Sequence, residues 1–168
     1  MKNLAKITDK EIQGRYIKIE NPVHRTAARA IIRDTDGNIA LLFVSKKDFY
    51  KLPGGGAEEG ETVLEALNRE VMEEVGCQIK VMDEVGVITE ERGDLGLTQT
   101  SYCYIADVVG EKMAVNFDKY ELADGYELLW VSANEVLEAF HGANTDEVNS
   151  RFITMRELMF FEEALKKL

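Results

Sequence analysis

The sequence predicts an α/β fold in which a mixed β-sheet is covered by helices. Two strand-like runs, Arg25 to Arg33 (RTAARAIIR) and Ile39 to Val44 (IALLFV), flank the Asp-Gly turn of DTDGN. Helical spacing of apolar residues follows from about Thr62 to Val75 and returns in the last third of the chain. Strands and helices do not alternate as regular βαβ units, which favours a mixed sheet over a parallel one.

Taken in order, the first hairpin closes at Asp36-Gly37, where glycine meets the demands of a tight turn. DTDGN also looks like the start of a calcium loop, but nothing like the rest of that loop follows. After LPGGG (Leu52 to Gly56) comes the helix Thr62 to Val75, then strands over Ile79 to Glu91, Gln99 to Val108 and Glu127 to Val131. Ser132 to Phe140 and about 146 to 168 read as helices, the last long and amphipathic. Its stripe of Phe152, Met155, Met159, Phe160 and Leu165 is expected to pack on its own domain, with a homodimer contact as the alternative.

A chain of 168 residues that is 45% hydrophobic is long enough for one core, and its two prolines mark no linker, so residues 1–168 are expected to form a single domain. No apolar run suits a signal peptide or a membrane span, which points to a cytoplasmic protein. Cys77 and Cys103 sit in apolar patterns and read as reduced, packed thiols. With 31 acidic against 20 basic residues the net charge is -11, which argues against nucleic acid polymers and anionic membranes as partners. A phosphorylated ligand must then be met through cations.

The stretch REVMEEVG, residues 69 to 76, adds three carboxylates to this acidic chain. At about 100° per residue from Glu61, the residues Val63, Leu64, Leu67, Val71 and Val75 fall between about 200° and 320°, a core face. Glu73, Glu70 and Glu74 fall at about 120°, 180° and 220°, one patch whose edge overlaps that face. Glu58 and Glu59, near the helix N-terminus, are favoured by the helix dipole. Glu70, Glu73 and Glu74 lie in its second half, where the dipole opposes them, and Glu70 and Glu74 are a like-charge i,i+4 pair. Something cationic should offset them. Carboxylate oxygens without nearby histidine or cysteine suit Mg²⁺ or Mn²⁺ better than zinc. The preceding glycines allow backbone to approach a ligand closely.

Gly55, five residues, Glu61, seven residues, and then Arg69-Glu70-Val71-Met72-Glu73-Glu74-Val75-Gly76-Cys77 resembles a complete Nudix box. The flanks AIIRDTDGNIALLF and LLWVSANEVLEAF resemble that family more loosely. The resemblance implies an α/β/α sandwich with a loop-helix-loop catalytic motif. It also implies that metal-activated water hydrolyses a nucleoside diphosphate linked to another moiety, with Mg²⁺ or Mn²⁺ as cofactor. Carried over, Glu70, Glu73 and Glu74 resemble metal ligands, with the Gly55 carbonyl as an additional one, and Arg69 and Glu61 resemble an orienting pair. Glu70 or Glu73 would serve as base, and a further acid outside the box often takes part; Glu127 is the candidate, with Glu121 and Glu91 behind it.

Arg29 or Arg33 on the first long strand is a candidate contact to a phosphate or ribose, with a surface ion pair as the equal alternative; Tyr50, Phe49 and Tyr102 are candidates for stacking on a base, with core packing the favoured role. Family members acting on ADP-ribose often carry a proline roughly sixteen residues past the box, and those acting on dinucleoside polyphosphates a tyrosine near there. This chain has Arg92, Gly93, Asp94 and Leu95 in that region, so neither subgroup is assigned. The competing functions are a nucleotide or ADP-ribose sensor that keeps the fold without turnover, and an RNA decapping enzyme, which the charge of -11 disfavours.

Overall fold

The computed structural model describes residues 1–168 and contains one seven-stranded mixed sheet. Its strands are β1 (Asn3–Thr8), β2 (Val23–Arg33), β3 (Ile39–Val44), β4 (Phe49–Lys51), β5 (Gln78–Arg92), β6 (Leu97–Val109) and β7 (Tyr126–Val131). Its helices are α1 (Asp9–Gln13), α2 (Val63–Glu74), α3 (Lys119–Asp124), α4 (Ala133–Gly142) and α5 (Val148–Ala164). The spatial order is β1-β5-β6-β2-β3-β4, with β7 also paired to β3. β1 with β5 and β2 with β6 run parallel, and the other pairs are antiparallel.

Strand alternation divides the core into two layers, giving the expected α/β/α sandwich. On β2, Ala28, Ala30 and Ile32 join Leu67, Val71 and Val75 of α2 on one face of the sheet. Ile31, one step out of phase, joins Val136 and Phe140 of α4 and Phe152, Phe160 and Phe161 of α5 on the other. The small alanines let α2 lie close to the strand. No helix is long and apolar enough to cross a membrane.

Two expectations about helices are corrected. Leu64 is 44% exposed, because it lies in the first turn of α2, whereas Ala66, Leu67, Val71 and Glu74 are the buried residues. The terminal helix is not simply amphipathic: Phe152 and Phe160 do pack inward, but Arg156 and Glu157 are buried with them. Arg156 donates to Glu90 at 2.7 Å and to Glu157 at 2.5 Å, and Arg29 donates to the same Glu157 oxygen at 3.3 Å. Arg92 donates to Glu90 at 2.7 Å and to Asn149. Buried charges survive only when paired in this way.

One irregularity positions the site. β2 and β3 share only the pair Arg33 and Ile39, and along the rest of β2 the loop Pro53 to Ala57 takes the neighbouring place. Ala30 N–H donates to the Pro53 carbonyl at 3.1 Å, Ala28 N–H to Gly55 at 2.9 Å, and Ala57 N–H to Thr26 at 2.9 Å. The glycine loop is thereby held like a strand. At Gly54, whose φ is +123°, an added Cβ would meet the Ala28 carbonyl oxygen at 2.2 Å, so no other residue fits.

Candidate active site

The second half of α2 faces a cleft of about 660 Å³ lined by Glu70, Glu73 and Arg69, by Arg25 and Lys51 from strands, and by Tyr126 and Glu121 from the β7 side. Thr62 starts the helix with a capping box in which Glu65 answers, fixing where its turns fall. Arg69 then ties helix to loop. Its guanidinium donates to Glu61 through Nε at 2.8 Å and Nη2 at 3.0 Å, and to the Gly56 carbonyl at 3.0 Å. Its Nη1 reaches Glu70 at 2.9 Å and Glu73 at 3.4 Å. Glu61 is held down to about 2 by the Arg69 hydrogen bonds and the Glu58 N–H. The Arg69–Glu61 pair that the resemblance implied is formed, and Arg69 reaches two further carboxylates.

Arg69→Ala is expected to lower turnover by about 10- to 100-fold, the usual effect of removing a group that orients ligands, with a smaller change in KM. Steady-state kinetics check this. Unchanged turnover with a raised KM would make Arg69 a substrate contact instead.

Glu70 packs against Gly55, where an added Cβ would lie 2.2 Å from its Oε1. Gly55 thus serves the site by having no side chain, and its carbonyl, expected as a metal ligand, accepts from Ala28 in the ladder. Glu74 is fully buried. Lys51 Nζ donates to its Oε1 at 2.8 Å and Gly54 N–H to its Oε2 at 2.6 Å. Burial pushes the Glu74 carboxyl up, and the Lys51 charge and the Gly54 N–H oppose that push.

The acid from outside the box that the structure brings to these carboxylates is Glu121. Carboxylate oxygens of Glu70, Glu74 and Glu121 all lie within 4.8 Å of one another, and Glu73 lines the same cleft. Glu121 arrives by a traceable route. The segment after β6 is pinned to the end of α2 by Met113 N–H donating to Gly76 and Asn116 N–H donating to Glu73, both at 2.7 Å. Gly76 permits this contact, since a Cβ there would meet the Met113 carbonyl oxygen at 2.3 Å. Asp118 then caps α3, with Glu121 as its capping-box partner.

Four expected site residues do not reach the cleft. Glu127 pairs opposite Phe43 on β7 and is exposed; because side chains alternate, it is Tyr126, one residue earlier, that lines the cleft. Arg29 is buried and committed to Glu157 and the Ala28 carbonyl. Arg33, at the far end of β2, pairs with Asp107 at 2.8 Å. Tyr50 stacks on Phe43 with ring centroids 4.8 Å apart and packs against the core. Glu91, the other reserve acid, pairs with Lys6 at 2.8 Å. Phe49 is buried and Tyr102 packs on the α2 side of the core.

Two cations of the cleft were missed by sequence reasoning. Arg25 lies four residues before Arg29 on the same strand face, and its guanidinium packs beside Gly56 without a carboxylate in ion-pair contact. Arg25 is solvent-exposed, and partial desolvation against the cleft wall with the guanidiniums of Arg29 and Arg156 lowers its pKa, but arginine stays charged. Lys51 stood directly before the glycine loop in the sequence, where only its buried partner Glu74 reveals its place.

The donor set fits a hard divalent cation: clustered carboxylate oxygens, no nitrogen or sulfur ligand, and a cleft open to a ligand. A NUDIX domain model matches residues 23–152. Over 102 residues the chain is 34% identical to an ADP-ribose pyrophosphatase of Methanocaldococcus jannaschii, covering 59% of this chain and 60% of that protein. Over 112 residues it is 31% identical to the mitochondrial Nudix hydrolase 13 of Arabidopsis thaliana, covering 62% and 55%. The chain thus spans little more than half of these curated relatives. Among solved structures, a MutT protein from Methanosarcina mazei matches with a TM-score of 0.52 and 26% identity, covering 89% of this chain and 99% of that one.

Proposed function

Because this chain belongs to the Nudix family, we propose that it is a metal-dependent pyrophosphohydrolase that cleaves a nucleoside diphosphate linked to another moiety, such as a second nucleotide or a sugar. The observation that carries this is the meeting of Glu70, Glu74 and Glu121 oxygens within 4.8 Å beside Glu73, in a cleft that also holds an unpaired Arg25. Mg²⁺ or Mn²⁺ held by these carboxylates would neutralise the diphosphate and lower the pKa of an attacking water. Arg69 orients Glu70 and Glu73, and Glu70 or Glu73 accepts the proton of that water. Arg25 supplies charge-assisted hydrogen bonds to a phosphate. Tyr126 and Phe117, also on the cleft wall, offer aromatic surface to the remainder of the substrate.

The charge of -11 supports a small soluble substrate over a nucleic acid polymer. Residues 1–168 are taken as one domain, and the two free buried cysteines support a reducing compartment such as the cytoplasm. The test is a panel of dNTPs, ADP-ribose, sugar nucleotides and dinucleoside polyphosphates with Mg²⁺ or Mn²⁺ in isotopically labelled water, the labelled product identifying the attacked phosphorus. ADP-ribose comes first, since the relative that is 34% identical carries that name. Release of a nucleoside monophosphate or of inorganic pyrophosphate supports the proposal. Binding across the panel without turnover would leave the sensor function instead.

A further inference from the structure

Lys51 closes β4 one residue before the glycine loop, and its ammonium is caught between Glu74 Oε1 at 2.8 Å and the Tyr126 ring, whose centroid lies 5.0 Å away. Glu74 contributes an oxygen to the carboxylate cluster, yet both its oxygens already have donors, Lys51 on one and Gly54 N–H on the other. Its side chain is 1% exposed, so it must be compensated whether or not a metal is present. Arg69, the other cation touching the box carboxylates, is spent on Glu61, Glu70 and Glu73 and makes no contact with Glu74. Lys51 is therefore the one side chain that neutralises Glu74 by direct contact, at the place where a divalent cation would also draw on that carboxylate.

We propose that Lys51 is a tethered competitor of the divalent cation for Glu74. It keeps the buried carboxylate aimed at the cluster when the metal is away, and so sets how tightly and how reversibly the metal is held. The inference rests on the metal-dependent hydrolase proposed above. A four-carbon stem with rotatable bonds lets the ammonium leave one oxygen without the backbone moving. Tyr126 is placed to keep it at the cleft wall by cation–π attraction.

The test compares Mn²⁺ binding by titration calorimetry, and melting with chelator and with excess Mn²⁺, in the parent, Lys51→Met and Lys51→Arg. Removing the competitor should lower the melting temperature in chelator, tighten Mn²⁺ binding by about tenfold or more, and enlarge the Mn²⁺-induced gain in melting temperature. Lys51→Arg, which keeps a cation, should stay near the parent. If Lys51→Met does not fold without metal, Lys51→Gln carries the same measurement, because it still donates a hydrogen bond but brings no charge. Equal or weaker Mn²⁺ binding in the uncharged variants, with binding intact in the parent, overturns the role of Lys51 alone. No Mn²⁺ binding in the parent overturns the cation site itself, and this inference with it.

Discussion

Glu70→Gln is expected to lower turnover by about a thousandfold, comparable to the loss of one preorganised electrostatic group elsewhere. Glu70 lies at the centre of the site. It belongs to the three-carboxylate cluster, it contacts Arg69 at 2.9 Å, and it fills the space left by Gly55. Glutamine keeps the shape but removes the charge that would bind a cation and the basicity that would accept a proton. The fold should survive, because Arg69 keeps its bidentate pairing with Glu61 and its bond to the Gly56 carbonyl. Melting in chelator should be unchanged or slightly higher, since one charge has left a like-charged pair in the second half of the helix. The gain in melting temperature on adding Mg²⁺ or Mn²⁺ should shrink. Kinetics and melting on the same samples separate loss of chemistry from loss of structure, and near-parental turnover would remove Glu70 from the site.

The largest effect on stability is expected from Arg156→Met. Arg156 is buried and donates to both Glu90 and Glu157. Its removal leaves Glu157 with only the 3.3 Å contact to Arg29 and takes from Glu90 one of its two arginines. Breaking a buried pair on one side costs about 3–5 kcal/mol. At about 2–4 °C per kcal/mol for a domain of this size, melting should fall by about 6–20 °C. The exposed pair Lys18–Glu20, separated by 3.3 Å, supplies the control: Lys18→Ala should shift melting by no more than a few degrees. Equal shifts for the two variants would mean that the α5 network contributes little. None of these network residues lines the cleft, so turnover of Arg156→Met well below its melting temperature should stay close to that of the parent.

What the sequence made legible divides by the range of the interactions involved. The box carboxylates and the Arg69–Glu61 pair lie on one loop-helix unit, so helical spacing grouped the carboxylates and the resemblance to the Nudix box implied the pair. The long strands and α2 were marked by periodicity. β4 has three residues and β1 is a short edge strand whose parallel partner β5 lies some eighty positions later, so neither leaves a strong local pattern. α3 did leave one, the capping box of Asp118 and Glu121 closed by Gly125 in the left-handed conformation, but that signal marks the helix and not its approach to α2, which rests on the long-range bonds of Met113 and Asn116. Arg29 looked like a free strand arginine because Glu157, its partner, is 128 positions away on a helix whose charges appeared solvent-facing. Only the folded chain distinguishes the committed arginine from the uncommitted one four residues earlier.

The proposed cation site is begun by the box and completed by Glu121, delivered by the segment pinned to the end of α2. Mn²⁺ titration calorimetry on the parent, Glu121→Ala and Glu127→Ala tests it most directly. Glu121→Ala is predicted to weaken Mn²⁺ binding by about tenfold or more, in line with the loss of a group that shapes a metal site. Glu127→Ala should bind Mn²⁺ as the parent does, because Glu127 points away from the cleft. Weakened binding in Glu127→Ala together with parental binding in Glu121→Ala would contradict the site as the fold assembles it.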